Sequence, residues 1–210
     1  MSILKIILCL LLGYLLGSLS PSALIAKVKQ TNLREKGSKN LGATNTLLVF
    51  GKKYGALVML FDIAKAFFAV WCAKWIMPGL KWLSLATGGC AILGHCFPFY
   101  LKFKGGKGFA AFGGVVLAYN PLLFLFLLIS GTVCMLLVNY SFIFPFYTAT
   151  FFAVYTVIQE RTLITGVLAT LVAALIIGMH FGNMLKAIKG TDAKIREYIK
   201  TKLFKSSNAD

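Results

Sequence analysis

Acidic side chains are scarce in this chain: six Asp and Glu stand against 22 Lys and Arg among 210 residues, for a formal net charge of +16. Histidine is scarcer still, at His95 and His180 only. No His-Glu-x-x-His segment is present, and no cysteine sits in a polar, activating setting, so the usual side-chain machinery of zinc and thiol chemistry is missing. The five cysteines (Cys9, Cys72, Cys90, Cys96, Cys134) lie in or beside apolar runs without paired spacing, which excludes a disulfide or zinc framework and leaves them as small core hydrophobes. Polar length is short as well. With 59% hydrophobic residues, 13% charged residues and a mean hydropathy of +0.81, the chain is not a soluble domain; its solvent is lipid.

The positive charge that remains is gathered into three places. Seven of the 22 Lys and Arg lie from Lys27 to Lys53, three from Lys102 to Lys107, and seven from Lys186 to Lys205. A nucleic-acid-binding face is not segmented in this way. Three basic stretches between apolar runs mark one side of a membrane, and the positive-inside rule makes it the cytoplasmic side. Anionic headgroups and small phosphorylated molecules are the natural partners of such a face, and no nucleic acid is expected.

The apolar runs give the layout. Ile3 to Ile25 is long enough to span, and no small-residue cleavage site ends it early, so it is read as an uncleaved transmembrane helix with Ser18, Ser20, Pro21 and Ser22 at its inner end. Further spans are expected at about Tyr54 to Met77, Trp82 to Cys96, Phe109 to Tyr119, Leu122 to Val138, Phe142 to Ile158 and Leu163 to Met179. Phe109 to Tyr119 is too short to cross alone, so a fused or re-entrant arrangement around Asn120-Pro121 stays open. The expected fold is an all-α integral membrane protein of about seven helices, N-terminus outside and C-terminus cytoplasmic. It forms a single domain over 1–205 with cytoplasmic segments near 27–53, 99–108 and 180–194 and a tail at 206–210.

Each polar segment carries candidate chemistry. In the second, Gly105, Gly106 and Gly108 surround Lys107, with Lys102 and Lys104 upstream, and can bring backbone N–H and ammonium groups onto one anion. It is not a Walker loop, because Leu101 stands where that motif needs Gly and Gly108 follows Lys107 where Ser or Thr should be. The first segment gathers Arg34, Gly37, Ser38, Asn40, Gly42, Thr44 and Asn45, which either bind polyol and phosphate oxygens or simply form turns and cap the next helix. The third places His180 and Asn183 on one helical face if the last helix persists that far, with Gly190 and Thr191 beyond. Asp62 and Lys65, three apart within a span, are expected to form a structural ion pair or to line the polar site.

The second and fourth spans both begin at the cytoplasmic face after glycine-rich loops, so their positive ends are expected to point at one site for phosphorylated ligands, open sideways to lipid. A reaction that asks little of side chains fits such a site, such as attack of an alcohol on an already activated donor. A transporter of a phosphorylated solute would use the same features. However, no internal repeat is visible and the motifs lie at one face where a transporter wants a midplane site.

Together the three segments resemble the bacterial acyl-phosphate:glycerol-3-phosphate acyltransferase family, small integral membrane enzymes that make lysophosphatidic acid. The likeness rests on Arg34, Gly37-Ser38, Asn40 and Gly42-Ala43-Thr44-Asn45; on Gly94-His95, Phe97-Pro98 and Phe103 to Gly108; and on His180, Asn183 and Gly190-Thr191. It implies that Arg34, Ser38, Asn40, Asn45 and Lys107 hold glycerol 3-phosphate. Thr44, Lys104, Gly105, Gly106, Gly108 and His180 would hold acyl phosphate, with Ser38, Lys107, His180 and Asn183 as the catalytic set. No metal, cofactor or acyl-enzyme is implied, and a monomer in the bacterial cytoplasmic membrane is expected to suffice. Neither histidine has an aspartate five residues on, so the His-x4-Asp base of soluble glycerolipid acyltransferases is absent. The chain departs from the family pattern at Asn32, Lys39, Ala66, Ala111 and Asp192, and most of all at Leu48, where an arginine is usual.

Overall fold

The computed structural model describes residues 3–191 and 194–196. Asp192, the end of the domain expected over 1–205 and the tail expected at 206–210 lie outside the described residues. The first apolar run forms the expected span, built as two helices, α1 (Ile3–Ser18) and α2 (Pro21–Val28), that meet ahead of Pro21. Pro21 lacks the N–H that would continue the ladder but suits a first turn. Ser20 turns to extended backbone, and its hydroxyl accepts a hydrogen bond from the Ala23 amide at 3.3 Å. The carbonyls freed at the break find side-chain donors: the Tyr100 hydroxyl bonds Ser18 O at 2.8 Å, and Lys65 Nζ bonds Leu19 O at 2.6 Å.

The first polar segment is not all loop. Residues 43–50 form α3 (Ala43–Phe50), which turns at Gly51 (φ 90) into the long α4 (Lys52–Ile76). There follow α5 (Lys81–Cys96), a single 3-10 turn at Phe99–Leu101, α6 (Phe109–Tyr119), α7 (Pro121–Val138), α8 (Ile143–Glu160) and α9 (Leu163–Ile188). Asn120 joins α6 to α7 as separate helices: it closes the first and caps the second, accepting from the Leu123 amide at 3.1 Å just ahead of Pro121.

Among the described residues, five segments are long and apolar enough to cross a bilayer: Ile3–Val28, Lys52–Ile76, Lys81–Leu101, Pro121–Val138 and Leu163–Ile188. The eleven-residue α6 is apolar but short, and α8 carries two tyrosines, three threonines, Gln159 and Glu160 among its apolar residues. Leu122, Trp75 and Leu163 are more than three-quarters exposed, an apolar surface that only lipid can cover. Inside, Val70, Ile92, Phe112, Val115, Phe152 and Ile176 join α4, α5, α6, α8 and α9 in one core. Small residues bring α1 against α5 so closely that a methyl at Gly17 would collide with the Ala91 backbone.

Candidate active site

One cavity of about 590 Å³ collects residues from all three polar segments. At its polar end stand Ser38, Asn40 and Thr44 from the first, Lys107 and Gly108 from the second, and His180 and Asn183 from α9. Its other end runs between α6, α7 and α8, where Phe112, Val116, Phe124, Leu127, Leu128 and Phe144 form an apolar wall. The space is therefore amphipathic along its length.

The third segment is helical as far as Ile188, where α9 ends, and the expected shared face of His180 and Asn183 is observed. Lys107 Nζ donates to Asn183 Oδ1 at 2.6 Å, so a loop cation is tied to that face. His180 is held by its other side: Nδ1–H donates to the Ile176 carbonyl one turn back at 2.9 Å. A carbonyl only accepts, which fixes the proton on Nδ1 and leaves the lone pair on Nε2. Phe109 meets the same ring edge-on, with centroids 5.9 Å apart.

Two helix N-termini open on the polar end. The first-turn residues Ala43 and Thr44 of α3 and Phe109 and Ala110 of α6 all line it, and the first N–H groups of a helix have no partner within the helix. The expectation of two such ends holds for the helix after the second loop. At the first loop the end belongs to α3, because the chain turns helical at Ala43, nine residues before α4 begins.

Several candidate residues stand behind the cavity instead of in it. Asn45, 1% exposed, uses its whole amide within the protein: Oδ1 accepts from the Ser38 amide at 2.6 Å, and Nδ2 donates to the carbonyls of Leu33 and Asn40 at 2.8 and 2.9 Å. Arg34 reaches across to the second loop, donating to the carbonyls of Leu101 (3.3 Å) and Lys104. Gly105 and Gly106 turn their N–H groups back onto the end of α5, to Cys96 O at 2.9 Å and His95 O at 3.1 Å. Lys104 meets Arg34 through its backbone and is not part of the cavity wall. Leu48, in place of an arginine, is 46% exposed on α3 and also outside the wall.

The expected Asp62–Lys65 ion pair is present at 2.7 Å, and Asp62 lines the cavity too. Asp62 thus meets both expectations for it, while two other titratable lining residues, His95 and Lys186, had been given no site role from the sequence. The signal for Lys186 was available, since 180, 183 and 186 repeat at helical spacing. For His95 it was not, because nothing in its local sequence says which way the ring at the end of α5 turns.

The comparisons with known proteins agree with one another. Residues 7–190 match the family model described as glycerol-3-phosphate acyltransferase. A glycerol-3-phosphate acyltransferase of Coxiella burnetii is 38% identical over 193 residues, covering 90% of this chain and 98% of that protein. One of Bordetella pertussis is 34% identical, with 89% and 90% covered. Among solved structures, PlsY, an integral membrane glycerol 3-phosphate acyltransferase, superposes in its glycerol 3-phosphate form with a TM-score of 0.84 at 32% identity, over 90% of this chain and 95% of that one. Its lysophosphatidic acid form gives 0.81 at 31%.

Proposed function

The chain belongs to the glycerol-3-phosphate acyltransferase family, and from that premise we propose that it draws its acyl group from an acyl phosphate and releases inorganic phosphate. It is an integral membrane acyltransferase of phospholipid biosynthesis. The observation that carries the donor reading is the amphipathic cavity, whose polar end suits a phosphate and whose apolar end suits an acyl chain of one molecule. An acyl phosphate has both parts and needs no room for a large carrier headgroup.

In this reading the acyl chain lies against Phe112, Leu127 and Phe144. Its phosphate meets the N-terminus of α6 and the loop at Lys107 and Gly108, with Thr44 at its edge. Glycerol 3-phosphate sits by Ser38, Asn40 and Lys107, and Arg34 and Asn45 serve that subsite by holding its loop. Lys104, Gly105 and Gly106 act likewise on the second loop. His180 Nε2 accepts the proton of the attacking primary hydroxyl as the hydroxyl oxygen bonds to the acyl carbon, the bond from that carbon to the phosphate oxygen breaks, and His180 passes the proton on to the departing phosphate. Lys107, steadied by Asn183, stabilises the charge that moves onto phosphate. No covalent enzyme intermediate is involved.

The chain crosses the bacterial cytoplasmic membrane seven times, N-terminus outside, with the cavity opening to the cytoplasm and the monomer complete. Support comes from the basic segments gathered at 27–53, 102–107 and 186–205, which belong on the inner side. The test uses purified protein in detergent with glycerol 3-phosphate and EDTA, and palmitoyl phosphate or palmitoyl-CoA in parallel. Lysophosphatidic acid and phosphate from acyl phosphate alone are expected. Product only from the thioester would overturn the donor and keep the acceptor.

A further inference from the structure

Three buried groups stand behind the glycine loop and have no part in the transfer as described. Asp62 and Lys65 on α4 and His95 on α5 are 1%, 5% and 9% exposed. Lys65 Nζ lies 2.6 Å from the Leu19 carbonyl, 2.7 Å from Asp62 Oδ1 and 2.9 Å from His95 Nδ1. An ammonium has three N–H donors and no lone pair, so beside its ion pair with Asp62 and its bond to Leu19 the contact with the imidazole is a hydrogen bond only when His95 Nδ1 accepts. Asp62 Oδ1 is farther from that nitrogen, at 3.3 Å, and already carries the countercharge of Lys65.

An imidazole whose Nδ1 accepts has its proton on Nε2. That nitrogen lies against the loop: a methyl added at Gly106 would collide with it and with the Leu41 carbonyl. His95 also lines the cavity, and among the described residues its side-chain hydrogen bonding is through Nδ1. An ion pair kept only to join helices needs no third member on the cavity side. Here the third member is a ring that lines the cavity and whose remaining N–H lies against the glycine loop.

We propose that Lys65 is a positioning residue that holds His95 as the Nε2–H tautomer, so that His95 donates a hydrogen bond to a phosphate oxygen of the ligand seated beside the Gly105–Gly108 loop. The inference rests on the acyl-transfer reading of the cavity and adds a donor to it. In that arrangement the two histidines of the cavity are opposite in kind, His95 giving a proton to a hydrogen bond and His180 receiving one.

The experiment uses the full chain in detergent with nitrogen-15-labelled histidine, where only two rings contribute to the spectrum and His180→Gln assigns them. The expected spectrum has His95 protonated at Nε2 and unprotonated at Nδ1, and its Nε2–H signal moves when inorganic phosphate or glycerol 3-phosphate is added. Lys65→Met should release the proton to a mixture of both nitrogens. A wild-type His95 protonated at Nδ1, or an Nε2 signal indifferent to both ligands, overturns the proposal whether or not Lys65→Met folds. In turnover, His95→Gln, which keeps a donor near Nε2, should retain at least about tenfold more kcat than His95→Asn, which places its amide near Nδ1. Equal losses in the two would count against the donor role. A wild-type protein without turnover but with the phosphate-dependent Nε2 shift would remove the acyl-transfer reading and leave this assignment standing.

Discussion

Two loops close over the same cavity and keep their shapes by opposite means. The stretch from Leu33 to Asn45 is tied by side chains: the Asn45 amide bonds three backbone groups, and Arg34 reaches over to Leu101 and Lys104. The stretch from Phe97 to Gly108 is tied by its own backbone. Gly105 and Gly106 are stitched to the end of α5 through Cys96 and His95, in space too narrow for a side chain. The first loop should therefore fail when atoms are removed, and the second when atoms are added.

The sharpest test of that contrast is Gly106→Ala. One methyl has to enter where the His95 ring and Leu41 carbonyl already are, so turnover should fall by about 10³-fold or more while α4, α5 and α9 stay assembled. A variant of near-normal kcat would show that the loop is not sterically fixed. Lys107→Ala probes the one side chain of that loop bonded across to α9, and the loss of a preorganised cation should cost about 10²- to 10³-fold in kcat with the protein still monodisperse. Asn45→Ala removes three hydrogen bonds at roughly 1 kcal/mol each. The expected result is a lower melting temperature and about a hundredfold loss of activity, felt mostly in the KM for glycerol 3-phosphate.

Arg34→Lys keeps the charge but loses the fork that reaches two carbonyls, and about a tenfold drop is expected in steady-state assays. If the drop matched that of Asn45→Ala, the two loops would be acting as one unit. Lys104→Ala should change kcat/KM by less than about threefold, because its bond to Arg34 is through the backbone and survives truncation. A large effect there would mean that the ammonium group reaches ligand, and the division between side-chain and backbone control would fail at that position.

Most helices were legible because runs of twenty apolar residues can do little else in lipid, and the three polar segments converge as their spacing suggested. What the sequence hid lies where a short-range preference is outvoted by packing. α3 reads as Ala-Thr-Asn-Thr-Leu-Leu-Val-Phe, a poor helix former at its start, and it holds because Leu47 fits against Gly55 of α4 and Asn45 is fully bonded. Pro21 was visible at the inner end of the first span, but the break there is completed by Lys65 and Tyr100, which are distant in sequence and supply donors for the freed carbonyls. Among the candidates, Ser38, Asn40, Thr44, Lys107, Gly108, His180 and Asn183 line the cavity. Arg34, Asn45 and Gly105 share their composition but not their place, because motif spacing does not say which side of a loop faces inward.

The contact between Lys65 and the Leu19 carbonyl also bears on how the molecule is made. An unbonded carbonyl is costly in hydrocarbon, and Leu19 gains its donor only once the first span and α4 have come together, whereas Lys65 already has Asp62 as a countercharge on its own helix. During synthesis α1 leaves the ribosome first and must wait, its break unfilled, until α4 enters the membrane beside it. That docking therefore follows the making of the first loop, which precedes α4 in the chain, and comes before the second loop, which follows α5, has been made.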